Sequence, residues 1–210
     1  MSTVSVPLVR PVLVDRIVTR RLVTDLALVL GGVALTAGAA QLAVPLWPVP
    51  ITGQTLAVLL VGMSLGALRG AISMGLYALL GGLGLPIFSN HLAGWSIIAG
   101  PTGGFIIGFV ASAALTGWLA QLAWDRKVAR AFLAFVVGSL VTFAFGLPWL
   151  AVWLGNMGYP NDINAVLQAG FYPFILGGII KAILGAGIIT AAWAIVDRSD
   201  RQTAKLADTK

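Results

Sequence analysis

Apolar runs separated by short polar connections make up most of this chain, and they restrict what it can fold into. The composition is 59% hydrophobic and 10% charged, whereas a soluble domain carries about 25% charged residues. The runs are 14 to 26 residues long, a length that suits helices that cross a bilayer or pack inside a compact membrane bundle. They occupy residues 22–44, 54–68, 70–83, 101–124, 131–154 and 171–196. The sequence therefore predicts an all-α membrane protein, a six-transmembrane-helix bundle.

The basic residues predict the orientation of this bundle. An arm at residues 1–21, Arg69, the connection 125–130 and a tail at 197–210 hold all but one of the 13 Lys and Arg residues. Cytoplasmic connections are enriched in Lys and Arg. We therefore expect the arm and the tail to be cytoplasmic on either side of a transmembrane domain at 22–196. Because topology explains the basic charge, that charge does not indicate a nucleic-acid partner.

Lys181 is the cation that this topology leaves unexplained. It lies in the outer half of the sixth run, and no acidic residue occurs within fifteen positions of it. One interpretation is that its long side chain reaches the outer headgroups. The other is that the amine faces a cavity and binds a ligand, which is usual for an ionisable residue inside a span. An outward-facing pocket of this kind suits a molecule with one carboxylate.

Small residues recur along the first run, at Ala27, Gly31, Ala34 and Gly38. Their spacing places them near one face of a helix, where another helix can approach closely. That helix could belong to the same bundle or to a separate membrane protein. The sequence leaves both interpretations open.

Several functional classes lack their usual residues. There is no Cys and no Walker A sequence, and no catalytic constellation lies within the spans, so we expect neither an enzyme nor an ATPase. His91 is the single histidine, which makes a metal site unexpected. Aromatic residues near the predicted outer mouth, Tyr77, Phe88 and Phe174 among them, are expected mainly at the membrane interface, and one or two of them could line an apolar wall for a ligand.

Three stretches of the sequence resemble the BioY family, the biotin-binding S components of energy-coupling factor (ECF) transporters. They are VPITGQTLAVLLVGMSLGALRGAISMGLYALLGGLGLPIF at 49–88, AGPTGGFIIGF at 99–109 and YPFILGGIIKAIL at 172–184. The resemblance implies a multi-pass protein of a prokaryotic plasma membrane. It also implies that biotin is the transported ligand, with no cofactor.

The family's last helix begins with a Pro-Gly-Asp-x-x-Lys pattern, which this chain matches only in part. The Lys falls on Lys181, so the resemblance implies that this amine pairs with the biotin carboxylate. Gly178 stands where the family has Asp, and another group must hold the ureido ring. Candidates for that role are Asn90, Gln54, Tyr172 and bound water.

The resemblance also bears on the partners. S components dock on a transmembrane coupling protein through small residues of the first helix, and two ATPase subunits complete the transporter. On this basis Ala27, Gly31, Ala34 and Gly38 are expected to form the docking face within the lipid bilayer. Two alternatives stay open: a stand-alone oligomeric biotin carrier, and an S component for another vitamin.

Overall fold

The computed structural model describes residues 10–208, with side chains as far as residue 202, and it is mostly helical. One pair of short antiparallel strands, joined in register Ala43 to Thr52, interrupts the helices. The elements in chain order are α1 (Leu13–Ile17), α2 (Leu22–Ala40), β1 (Ala43–Val44), β2 (Ile51–Thr52), α3 (Gln54–Leu65), α4 (Ala67–Gly82), a 3₁₀ turn (Ser89–His91), α5 (Trp95–Ala99), α6 (Gly103–Gln121), a second 3₁₀ turn (Trp124–Arg126), α7 (Val128–Asn156), α8 (Ile163–Gly170) and α9 (Tyr172–Asp208).

Each of the six predicted spans overlaps one helix of the structure, namely α2, α3, α4, α6, α7 or α9. The predicted connection at Arg69 is wrong, because the chain turns at Gly66, which has a positive φ of 88°, and Arg69 lies inside α4. Within the described residues, four of these helices, α2, α6, α7 and α9, are long and apolar enough to cross a membrane. The chain is thus a multi-pass membrane protein, whereas the crossing of the shorter α3 and α4 stays a prediction, as does the orientation of the termini.

Helix α6 lies at the centre of the bundle, packed against α3, α4 and α7. Glycines allow this close packing. A Cβ atom on Gly62 of α3 would lie 2.5 Å from the carbonyl oxygen of Ala113 on α6, and one on Gly117 would lie 2.4 Å from the backbone nitrogen of Ala67. Real Cβ atoms do not approach so closely, so larger residues would force these helices apart.

The described part of the N-terminal arm, residues 10–21, packs under the bundle. Val12 and Leu13 are buried in the same apolar cluster as Phe135 of α7. Asp15 in α1 forms an ion pair with Arg69 at the start of α4. The described part of the arm is thus held to the bundle by apolar packing and by one ion pair. Residues 1–9 of the predicted arm lie outside the described residues.

Helices also form in two segments that the sequence indicated as polar connections. The predicted outer loop after α7 contains α8, which begins after Asp162 because that carboxylate caps the backbone N–H groups of Asn164 and Ala165. Helix α9 continues without a break through the predicted tail to Asp208. Residues 209–210 of that tail lie outside the described part of the chain.

Candidate functional site

A cavity of about 340 Å³ lies between the strand pair, the segment before α5 and the helices α3, α6, α7 and α9. Its lining is mostly apolar, with aromatic rings from three of the helices and a small number of polar side chains. The aromatic residues are Phe88, Phe105, Phe109, Phe143 and Phe174, and the polar ones are Thr52, Gln54, Thr55, Ser89, Asn90, Ser96, Thr102, Thr142 and Lys181.

Lys181 of α9 places its amine against the start of α3. Its Nζ donates hydrogen bonds to the carbonyl oxygen of Thr52 at 2.5 Å and to Oγ1 of Thr55 at 2.9 Å. No carboxylate in the described part of the chain pairs with this amine. An ammonium group has three donors, so one N–H is left for a ligand. Lys181 thus lines the cavity, and its binding of a ligand stays a prediction.

Gln54 also lines the cavity, and its amide is held by neighbouring residues. Its Oε1 accepts a hydrogen bond from Thr52 Oγ1 at 2.8 Å, and its Nε2 donates to the Tyr77 hydroxyl at 2.6 Å. The Tyr77 hydroxyl in turn donates to the carbonyl oxygen of Ile87 at 3.0 Å. This chain of hydrogen bonds connects α3, through Tyr77 of α4, to Ile87, the residue before Phe88 in the cavity wall.

Tyr77 is fully buried, so its expected place at the membrane interface is wrong. Its hydroxyl is satisfied by Gln54 and Ile87, which removes the need for a wet environment. Its ring packs edge-on against Phe88 with centroids 5.5 Å apart. Since Phe88 lines the cavity, Tyr77 supports the cavity wall from behind.

The remaining predicted ligand residues divide into two groups. Asn90 lies in the cavity wall, with its side chain exposed. Tyr172 and Gly178 lie on α9 and are not among the lining residues. A Cβ atom on Gly178 would meet nothing within 4 Å. The structure thus brings Lys181, Gln54 and Asn90 around one cavity and leaves Tyr172 and Gly178 outside its lining.

The predicted docking residues share one property: all are exposed on α2. They are Ala27, Gly31, Ala34 and Gly38. Cβ atoms added at Gly31 and Gly38 would have open space around them. Within the described residues, this face therefore carries no packing partner, and packing inside the bundle does not account for the small residues.

Two features of the site were missed from the sequence. The first is Thr55, whose hydroxyl contacts Lys181; it lies inside one of the BioY-like stretches, which was the available signal. The second is the aromatic wall formed by Phe105, Phe109 and Phe143. Apolar residues in a membrane span give no indication of which of them face a cavity.

The fold and the site together define a class of protein. The chain is a multi-pass helical membrane protein in which a charged amine projects into a largely apolar cavity. Small-molecule sites have this composition, a few placed polar groups in an apolar wall, and volumes of about 300–1,000 Å³. The class is that of membrane proteins that bind a small molecule.

Comparison with known proteins identifies the family. The BioY family model matches residues 10–198. The chain is 38% identical to the biotin transporter BioY2 of Lactococcus lactis over 161 residues, 76% of this chain and 85% of that protein. It is 37% identical to the biotin transporter BioY of Rhizobium etli over 146 residues, 66% of this chain and 75% of that protein. The chain belongs to the BioY family.

A solved structure shares the fold as well. The crystal structure of an S component for biotin from an ECF-type ABC transporter superposes with a TM-score of 0.69 at 26% identity, covering 80% of this chain and 90% of that one. The resemblance inferred from the sequence is thereby confirmed. The family is one of transporters, so the prediction that the chain is not an enzyme is also confirmed.

Proposed function

We propose that this protein captures biotin on the outer face of a prokaryotic plasma membrane and acts as the S component of an ATP-driven ECF transporter. In this proposal six helices cross the bilayer and both termini are cytoplasmic. The observation that carries it is the position of Lys181 in the wall of a ligand-sized cavity, in a chain whose relatives are named biotin transporters.

Lys181 binds the biotin carboxylate. Its amine is held by Thr52 and Thr55 and keeps one N–H for an anion. A charged amine inside a span is costly unless it is paired, and a carboxylate supplies the missing charge. The hydrogen bond is then charge-assisted on both sides, which makes it stronger than a neutral one.

The apolar wall holds the remainder of the ligand. Biotin has an aliphatic chain and a sulfur-containing ring between its carboxylate and its cyclic urea. Phe105, Phe143 and Phe174 line the cavity that Lys181 borders. Aromatic rings of this kind bury apolar ligand surface without competing for its polar groups.

The exposed face of α2 is the observation that supports an assembly with transporter partners. A coupling protein that packs a helix on Ala27, Gly31, Ala34 and Gly38 meets no side chain larger than a methyl group at those four positions. Two ATPase subunits then supply the energy, since this sequence contains no Walker A motif. A stand-alone oligomeric biotin carrier is the alternative, in which a second copy of the chain uses the same face.

Radiolabelled biotin binding to the purified protein tests the ligand and the role of Lys181. We expect the Lys181→Ala variant to bind biotin at least about tenfold more weakly, since a hydrogen bond to a charged group contributes about 1.5–3 kcal/mol. Lys127→Ala, which removes an exposed cation between α6 and α7, is the matched control and should bind like wild type. Equal affinity of Lys181→Ala and wild type would remove the proposed role of the amine.

Uptake measurements distinguish the two modes of transport. Cells that express the chain alone are compared with cells that also express a coupling protein and two ATPases. We expect accumulation to require the partners and ATP. Equal accumulation by the chain alone would favour the stand-alone carrier, and stronger binding of another vitamin would favour a different ligand.

A further inference from the structure

The hydroxyl of Ser89 is buried and has no hydrogen-bond partner among the described residues. Ser89 itself lines the cavity, in the turn that follows Phe88. A buried polar group without a partner is unfavourable and uncommon in native proteins. Among the described residues, this hydroxyl therefore contributes no hydrogen bond to the fold.

Most other polar side chains of the cavity are already engaged. Thr52 and Gln54 bond to each other, and Gln54 bonds also to Tyr77. Thr55 contacts Lys181. Oγ1 of Thr142 lies 2.6 Å from Ser112 Oγ, and Thr102 Oγ1 donates to the carbonyl oxygen of Ile97 at 3.4 Å. Among the described residues, the side chains of Ser89, Asn90 and Ser96 are the polar lining groups that make no hydrogen bond, and of these three residues Asn90 and Ser96 are exposed.

The backbone around Ser89 is held in place by Gln41, the residue that directly follows α2. Gln41 donates its Nε2 to the carbonyl oxygen of Phe88 at 3.1 Å, and its Oε1 accepts from the backbone N–H of His91 at 3.0 Å. Ser89 lies between these two anchor points. Its side chain can rotate among the staggered positions of χ1, whereas its backbone is positioned before a ligand arrives, which lowers the entropic cost of binding.

We propose that the Ser89 hydroxyl binds the cyclic urea of biotin, the end of the ligand opposite the carboxylate. This inference rests on the proposed function, since it takes biotin as the ligand. On ligand entry χ1 turns the hydroxyl into the cavity, where it donates to the urea carbonyl oxygen or accepts from a urea N–H, because a hydroxyl can do both.

The Ser89→Ala variant tests this assignment through two independent measurements. Biotin affinity should fall about three- to tenfold, the range of one neutral hydrogen bond. The melting temperature of the ligand-free protein should stay equal or rise, because an unsatisfied buried hydroxyl has been removed. A merely structural serine would give the opposite combination, with lower stability of the empty protein.

Two further variants complete the experiment. Ser89→Cys keeps the size of the side chain but hydrogen-bonds weakly, so its affinity should fall as for Ser89→Ala. Thr190→Ala removes a hydroxyl that bonds to its own helix on α9, away from the cavity, and should leave biotin affinity unchanged. If Ser89→Ala bound biotin as tightly as wild type, or if Ser89→Cys alone did so, the proposed hydrogen bond from Ser89 would be contradicted.

The outcomes separate this inference from the proposal on which it depends. If wild type binds biotin and Lys181→Ala weakens it while Ser89→Ala does not, the role of Ser89 is wrong and the proposed function stands. If wild type does not bind biotin at all, the proposed function fails and the urea contact fails with it.

Discussion

Trp193 on α9 donates its indole N–H to Oδ2 of Asp125, in the connection between α6 and α7, over 2.5 Å. Asp125 is fully buried, and its Oδ1 has no partner among the described residues. The Arg126 guanidinium lies 3.9 Å from the centre of the Trp193 ring. Burial raises the pKa of the Asp125 carboxyl, an effect that the Trp193 hydrogen bond and Arg126 oppose only in part.

The raised pKa of Asp125 predicts how acidity affects stability. Between the ordinary carboxyl value of 3.8 and the raised value, the folded state binds more protons than the unfolded state. The contribution of this group to stability therefore increases as the pH falls through the raised pKa. We expect Asp125→Asn, which keeps an acceptor for Trp193, to melt at the same or a higher temperature than wild type in alkaline buffer.

The difference between Asp125→Asn and wild type should shrink as the pH is lowered through the raised pKa of Asp125, because wild type then also becomes neutral at this position. Thermal unfolding of the purified protein on both sides of that pKa measures it. Trp193→Phe, which removes the donor, is the companion variant and should lower the melting temperature. A difference between Asp125→Asn and wild type that does not change with pH would contradict the assignment.

Asp15 predicts the opposite dependence on pH. Burial opposes its ionisation, but hydrogen bonds from Arg20 and Arg69 outweigh burial and hold the pKa of this carboxyl below its ordinary value. A lowered pKa contributes stability above the ordinary value, and this stability is lost as the pH falls through the folded-state pKa. Asp15→Asn should therefore cost about 2 kcal/mol near neutral pH, with the difference from wild type closing at low pH.

The Asp200→Asn variant is the matched control for Asp15. Its carboxylate pairs with Arg16, but both side chains are about half exposed. Exposed ion pairs contribute about 0–1 kcal/mol, so this variant should unfold close to wild type. Equal losses in Asp15→Asn and Asp200→Asn would indicate that burial at Asp15 has no energetic role.

The close contact between α3 and α6 predicts a steric effect at Gly62. An added methyl group there would lie 2.3 Å from Thr116 Oγ1 and 2.5 Å from the Ala113 carbonyl oxygen. Gly62→Ala should therefore destabilise the protein by about 1–3 kcal/mol. Gly75→Ala on α4 meets nothing within 4 Å and should be neutral or stabilise by up to about 1 kcal/mol, because alanine favours a helix. Melting temperatures of the two variants would test the contrast.

The exposed face of α2 predicts a variant that binds ligand but does not assemble. Gly31→Leu should retain the biotin affinity of wild type, because Gly31 is not part of the cavity lining. Its recovery with a co-expressed coupling protein should fall about fivefold or more, since a bulky residue overpacks a close helix contact. Gly187→Leu on α9, which also points into open space, is the control and should assemble normally.

The helices were largely predictable from the sequence, because each one follows from the length of an apolar run and from the polar, Gly and Pro residues that separate the runs. Lys181 could be singled out because one charge in an apolar span has few acceptable environments. The burial of Tyr77 was not predictable, since it depends on Gln54 and Ile87, which approach only in the folded bundle. The helix at Ile163–Gly170 was missed for a different reason: the cap at Asp162 is local, but polar residues around it resemble a loop.

Helix α9 carries both Lys181 at the cavity and Asp200 at the pair with Arg16, without a break in between. Nineteen residues at 1.5 Å each separate the two positions by about 28 Å. An unbroken helix turns as one body, so a rotation of α9 about its axis at the cavity also turns Trp193 against Asp125. The position of Lys181 at the cavity is thus rigidly coupled to the contacts of Trp193 and Asp200 at the far end of the same helix.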